Sequence, residues 1–209
     1  MGKTKETKAI KQCGIFEIDK LSSNFNNLII ELDKRTNNLV IEETKRAYQE
    51  KLANTDPLTG AYNRRYLNEF STDYLKIVKR EKNDFSLLVV DLDDFKRIND
   101  TYGHEGGDEV LIEFVKISRD TIRENDFIVR FGGDEFIILL PNTTMNNAKI
   151  LANKIINNIN EHNMRSKINF SISIGIAGYE ANDLNIDDII LRADNSLYEA
   201  KKAGKNRAI

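Results

Sequence analysis

Two runs of apolar, β-favouring residues, Phe127-Ile128-Val129 and Phe136-Ile137-Ile138-Leu139-Leu140, are separated only by Arg130-Phe131-Gly132-Gly133-Asp134-Glu135. Runs of this kind joined through a glycine pair read as a β-hairpin. The glycines accept φ > 0, as a tight turn requires. The two acids are what the turn displays. On their own they read equally well as solvated turn residues and as ligands, and the rest of the chain decides between these readings.

Upstream, Phe85 to Val90 is a buried strand by composition and runs straight into Asp91-Leu92-Asp93. Residues 94–109 are rich in polar groups and glycine, and a helix follows with Val110, Leu111, Phe114, Val115 and Ile117. Pro141 ends the hairpin's second strand. Residues 144–162 form another helix, with Ala148, Leu151, Ala152, Ile155 and Ile159 aligned. Strict alternation over Ile168–Ile174 predicts a strand with one apolar face. A last helix carries Ile189, Ile190, Ala193, Leu197 and Ala200.

From residue 85 the order is therefore β-α-β-β-α-β, the ferredoxin-like split βαβ signature. This is an α+β, palm-type sheet with packed helices. In that arrangement the third strand lies between the first and second and is antiparallel to both. The end of the first strand then sits beside the hairpin tip. Topology alone gathers up to four carboxylates at one sheet edge: Asp91, Asp93, Asp134 and Glu135.

Two unit charges about 4 Å apart repel by roughly 1 kcal/mol in water and about 4 kcal/mol at an effective dielectric near 20. Either the acids point apart or hard cations join them. Oxygen-only ligands favour Mg²⁺ or Mn²⁺. Paired acids on a palm-like edge suit two-metal phosphoryl or nucleotidyl transfer.

Before the sheet, Pro57 and Gly60 in Thr55-Asp56-Pro57-Leu58-Thr59-Gly60 punctuate the chain, placing a boundary near residues 53–60. A helix with Tyr66, Phe70, Tyr74 and Ile77/Val78 on one face follows it. Residues 1–12 are polar and read as frayed. From Ile15 to Leu52 no proline interrupts a helix, and Leu21, Phe25, Leu28 and Leu32 step by four, three and four. A dimeric coiled coil or helical hairpin is the first reading, and an amphipathic helix lying on its own domain is the second. The expected organisation is an N-terminal helical dimerisation or linker segment, residues 1–52, and a domain over 53–209.

The 209 residues suffice for one such domain plus an extension, and 40% hydrophobic with 31% charged residues suits a water-soluble chain. A net charge of −2 gives no global attraction for nucleic acid or an anionic membrane. The single cysteine, Cys13, rules out an internal disulfide and points to a reducing compartment. No apolar run is long enough to span a bilayer. Taken as a whole chain, the protein is expected in the cytoplasm, with no nucleic-acid partner.

Five separated motifs occur in order: Asp56-Pro57-Leu58-Thr59-Gly60 with Asn63-Arg64-Arg65; Asp91-Leu92-Asp93-Asp94-Phe95-Lys96 with Asn99-Asp100; Gly103-His104-Glu105-Gly106-Gly107-Asp108; Gly132-Gly133-Asp134-Glu135-Phe136; and Ala200-Lys201 with Gly204-Lys205-Asn206. In this combination residues 53–209 resemble the GGDEF domain family, the diguanylate cyclases. The resemblance implies condensation of two GTP into cyclic di-GMP with release of two pyrophosphates. It implies Mg²⁺ or Mn²⁺, two per active site, at the face between two domains. One copy of each motif per chain and a two-fold symmetric product agree with a homodimer.

Carried over residue by residue, the resemblance makes Asp91, Asp134 and the Leu92 carbonyl metal ligands. Asp134 would also help take the proton of the attacking 3′-hydroxyl, and Glu135 would act as a metal ligand or as an acid behind it. Asp93 receives no role beyond structural hydrogen bonding. Lys96, Lys201 and Lys205 would neutralise triphosphate charge. Many relatives carry Arg where Lys205 stands, and a lysine keeps the charge without the fork. Asn99 and Asp108 would read the guanine edge, with Phe95 beside them. Some relatives making mixed purine dinucleotides carry Ser at the Asp108 position, so Asp here argues for GTP. His104 reads as loop-positioning, and Ala61 replaces a larger apolar residue. Arg123-Glu124-Asn125-Asp126, with five residues between Asp126 and Gly132, resembles the family's inhibitory site for its product, with Arg123 and Asp126 as the contacts. The alternative is a non-enzymatic receptor for cyclic di-GMP or GTP that acts through a partner.

Overall fold

A computed structural model describes residues 3–209. The chain divides into two units, one ending at Lys51 and one running from Leu52 to Ile209. Helix α1, Lys3–Asn54, is 52 residues long. It begins at Lys3, so the stretch expected to fray is helical from there on. Gly14 only weakens a helix locally, and the first proline, Pro57, lies beyond its end. Phe25, Leu28 and Leu32 of the predicted seam are exposed. The side chains of Leu21 and Cys13 lie outside the described residues. Among the described residues no helix is long and apolar enough to cross a membrane.

In the second unit, strand β1 (Tyr62–Asn63), α2 (Arg64–Glu81), β2 (Phe85–Leu92), α3 (Phe95–Thr121), β3 (Phe127–Gly132), β4 (Glu135–Pro141), α4 (Met145–Asn163), β5 (Ile172–Gly178) and α5 (Ile186–Lys202) follow in order. The sheet order is β1-β3-β4-β2-β5. Strand β4 is antiparallel to both β2 and β3, and β5 is antiparallel to β2. This is the split βαβ arrangement expected from the order of elements. The two-residue β1, which adds in parallel to β3, is too short to leave a pattern in sequence.

Both sheet faces are covered. On one, Leu88, Val90, Ile138 and Leu140 meet Phe114 and Val115 of α3 and Ile155 and Ile159 of α4. On the other, Leu87, Val89, Ile137 and Leu139 meet Leu67 and Val78 of α2 and Ile189 and Ala193 of α5. A strand covered on both faces loses its alternation, so β5 is buried throughout from Ile172 to Ala177. The alternating Ile168–Ile174 pattern placed this strand four residues too early. At Gly175 a Cβ would fall 2.9 Å from Leu197 Cα and inside contact with the Ala193 carbonyl oxygen and the Leu197 nitrogen. Glycine there lets α5 lie close on the sheet.

Residues 95–102, part of the glycine-rich stretch that gives little helical signal, are helical. Helix α3 continues through them across a kink at Gly103, whose φ of 74° and ψ of 175° are not helical. Caps fix the other helices. The Asn63 side chain accepts from Tyr66 N at the start of α2, and Asn185 and Asp188 form a reciprocal capping box on α5. After α5 the chain returns to β5 only as a bridge between Ile174 and Ala208.

Candidate active site at the hairpin edge

Register brings the acids together. In the β2–β4 ladder Asp91 stands opposite Glu135, and Gly132 pairs with Glu135 across the tip. Gly133 and Asp134 therefore form the turn, with Gly133 at φ 49°. The Leu92 N–H donates to the Asp134 carbonyl at 3.3 Å. This stitches the end of β2 to the turn. Directly opposed residues on an antiparallel pair have Cβ atoms about 4.5–5.5 Å apart, so Asp91 and Glu135 feel each other.

Burial, then repulsion from Asp134 and Asp93, pushes the Asp91 carboxyl above the ordinary aspartate range, against the pull of Lys201. Glu135 is pushed up by partial desolvation and then by Asp91, Asp134 and Asp194. The Lys201 ammonium, from the last turn of α5, lies 2.8 Å from Asp91 Oδ2.

Asp194 is an acid of this cluster that no motif marks. Its own carboxyl is raised by burial, with Lys201 opposing. It precedes Lys201 by seven residues, two helical turns at 3.6 residues each. That spacing puts both on one face of α5 and is the signal that finds it.

Asp93 is diverted from the cluster. It is buried and accepts from Ser171 Oγ at 2.7 Å, Ser173 Oγ at 2.6 Å and the Asn206 N–H at 3.1 Å. It thus ties the end of β2 to β5 and to the C-terminal turn. In that turn Lys205, at φ 60°, places its ammonium 2.6 Å from Asp94 Oδ1. The pairing holds Asp94 below and Lys205 above their ordinary ranges.

Lys96 is exposed in the first turn of α3. Phe95 is half-buried against the core, Asn99 is half-buried and Asp108 is exposed. His104 is the exposed residue just past the kink, and Ala61 is fully buried. Arg123 and Asp126 form a turn between α3 and β3. The Asp126 carboxylate accepts from the Arg123 N–H at 2.9 Å, and the Arg123 side chain is exposed. Burial raises Asp126 against that hydrogen bond.

A further link joins the first motif to the hairpin. Arg130 donates through Nη1 to both Asp56 oxygens, at 3.1 and 3.2 Å, and through Nε and Nη2 to the Gly133 carbonyl, at 3.0 and 2.9 Å. Arg130 and Asp56 are 74 positions apart, so sequence spacing does not reveal that part of the link.

Among the described residues no three His, Cys, Asp or Glu side chains converge as a ready-made metal cage. The donor chemistry nevertheless fits a hard divalent cation. The ligands on offer are carboxylates and a backbone carbonyl, and the carboxyls of Asp91 and Glu135 are raised first by burial and then by their acidic neighbours. Mg²⁺ is commonly held by one or two protein carboxylates together with substrate phosphates rather than by a closed protein cage.

The chain matches the family described as "Diguanylate cyclase, GGDEF domain" over residues 53–207. It is 38% identical over 164 residues to the diguanylate cyclase DgcM of Escherichia coli strain K12, covering 77% of this chain and 39% of that protein. It is 35% identical over 164 residues to the response regulator PleD of Caulobacter vibrioides strain NA1000, covering 76% of this chain and 36% of that protein. The chain thus spans less than half of either relative. The coiled coil and GGDEF domain of DgcB from Caulobacter crescentus, solved in complex with c-di-GMP, superposes with a TM-score of 0.73 at 25% identity, covering 87% of this chain and 97% of that one. The diguanylate cyclase SiaD from Pseudomonas aeruginosa, solved with its activator SiaC, gives 0.72 at 26% identity, covering 98% and 81%. With the sheet order, the acid edge and a family match over most of its length, this chain belongs to the GGDEF domain family of diguanylate cyclases.

Proposed function

We propose that the chain joins two GTP molecules into cyclic di-GMP, each domain presenting one GTP to its partner in a homodimer. The observation that carries this is the register that sets Asp91 opposite Glu135 beside the Gly133-Asp134 turn, with Lys201 against Asp91. Asp91, Asp134, Glu135 and the Leu92 carbonyl would hold Mg²⁺ or Mn²⁺, two per site. The bound cations would polarise the α-phosphate and screen the triphosphate.

The chain's own residues do the rest. Asn99 and Asp108 offer acceptors and a donor to the guanine edge, with Phe95 alongside. Lys96, Lys201 and Lys205 supply point charges for the phosphates. For Lys201 and Lys205 this means exchanging Asp91 and Asp94 for substrate. Asp134 accepts the proton of the partner nucleotide's 3′-hydroxyl as its oxygen bonds to the α-phosphorus. The bond to the pyrophosphate oxygen breaks, and pyrophosphate leaves with its electron pair. The same step in the opposite sense closes the ring.

Arg123 and Asp126 would bind the product and arrest the enzyme. The exposed guanidinium and the preformed turn support that reading. Residues 15–52 would pair two chains through the exposed apolar seam. Synthesis from cellular GTP places the reaction in the cytoplasm.

The test is chromatography with mass detection after incubating nucleotide-stripped protein with GTP and Mg²⁺. A cyclic di-GMP peak is expected, larger in Arg123→Ala if feedback operates. Silence of both the native chain and Arg123→Ala would move the reading to a receptor.

A further inference from the structure

Gly107 has no assigned role, yet it is the residue against which the base-reading side chain lies. The kink at Gly103 separates residues 95–102 of α3 from the segment that follows. Asn99 and Phe95 from the first segment then both meet Gly107 in the second. A Cβ on Gly107 would fall 3.0 Å from Asn99 Cγ, inside contact with Asn99 Oδ1, and 3.1 Å from Phe95 Cζ. Gly107 is buried and helical, so nothing in its backbone demands glycine. What demands it is the space taken by the Asn99 amide.

We infer that Gly107 is a positioning residue for nucleotide recognition: by lacking a side chain it lets the Asn99 amide lie beside Asp108, where both address one base. This rests on the reading of Asn99 and Asp108 as guanine contacts. The main obstruction is the far end of the flexible Asn99 side chain, which can rotate away, while the Phe95 ring need give only a few tenths of an ångström. A methyl group at position 107 should therefore evict the amide without breaking the fold, and alanine is the better helix former. Gly107 differs in this from Gly175, where a Cβ meets the backbone of α5.

The experiment is calorimetric titration of GDP, with Mg²⁺, into the full chain and into Gly107→Ala, Asn99→Ala and the double variant, with a thermal melt of each. GDP carries the base and phosphates but does not react, so activity is not needed. Gly107→Ala is expected to melt no lower than native and to bind GDP about tenfold more weakly, the worth of roughly one lost hydrogen-bonding group. In the Asn99→Ala background the Gly107 substitution should add nothing, because both remove the same contact. If Asn99→Ala binds GDP as native does, the base-reading assignment itself fails. If Asn99→Ala weakens binding but Gly107→Ala does not, or the two losses add in full, the role given to Gly107 is overturned. A Gly107→Ala melt well below native would also overturn it, since the position would then be structural.

Discussion

Arg130 is the clearest place to test how the hairpin is held. Its guanidinium makes four hydrogen bonds, two to the Asp56 carboxylate and two to the Gly133 carbonyl. The side chains of Arg130 and Asp56 are 16% and 17% exposed, so the pair is mostly but not fully withdrawn from water. An exposed pair is worth about 0–1 kcal/mol. Removing one partner of a fully buried pair costs about 3–5 kcal/mol. Arg130→Met, which keeps the stem and deletes the fork, should cost between these limits, about 2–3 kcal/mol. For a domain of this size, about 2–4 °C of melting temperature is lost per kcal/mol, so the melt should fall by roughly 4–12 °C. Arg130→Lys keeps the charge but cannot serve both acceptors and should recover less than half of the loss. The assay is thermal unfolding by circular dichroism at neutral pH. Burial works against ionisation of Asp56, yet Thr59 and Arg130 hold its pKa below the ordinary value. Its contribution is therefore present above the unfolded aspartate pKa and fades as pH falls through the lower folded value. The gap between native and Arg130→Met should narrow only in that acid window. Equal melting of native and Arg130→Met at neutral pH would refute the reasoning, as would full rescue by lysine.

Other outcomes follow from the same geometry. Glu135 has a raised pKa in the folded chain, so its ionised form opposes folding above that value. Glu135→Gln should melt no lower than native at neutral pH without metal and lose most cyclase activity, and a lower melt would contradict the crowding of acids. Gly175→Ala forces a methyl group into the α5 backbone, should cost about 3 kcal/mol or more, and is checked by soluble yield and melt. Deleting residues 1–50 should lower specific activity at dilute protein, and an unchanged value across a dilution series would remove the pairing role of that segment.

The sheet and the acid edge were legible because they rest on local pattern and topology. The strand–Gly-Gly–strand run defines the hairpin, and the βαββαβ order then sets Asp91 beside Glu135. Three features were not legible, each for a physical reason. The start of β5 was misplaced because Ile168 and Phe170, which precede the strand, pack against the core and extend its apolar alternation. The first turns of α3 were hidden because residues 95–102 are mostly polar and run straight into the glycines at 103, 106 and 107. The Arg130–Asp56 pair joins residues 74 positions apart, and only the folded sheet reveals it. Asp194 lies between these cases, since its two-turn spacing from Lys201 is visible once α5 is placed.

The most direct measurement is the stoichiometry of product release. With GTP and Mg²⁺, nucleotide-stripped native protein should yield two pyrophosphates for each cyclic di-GMP, and Asp134→Ala should yield neither while melting as the native chain does. Pyrophosphate without cyclic di-GMP, or an Asp134→Ala chain as active as native, would contradict the placement of the reaction at the hairpin edge.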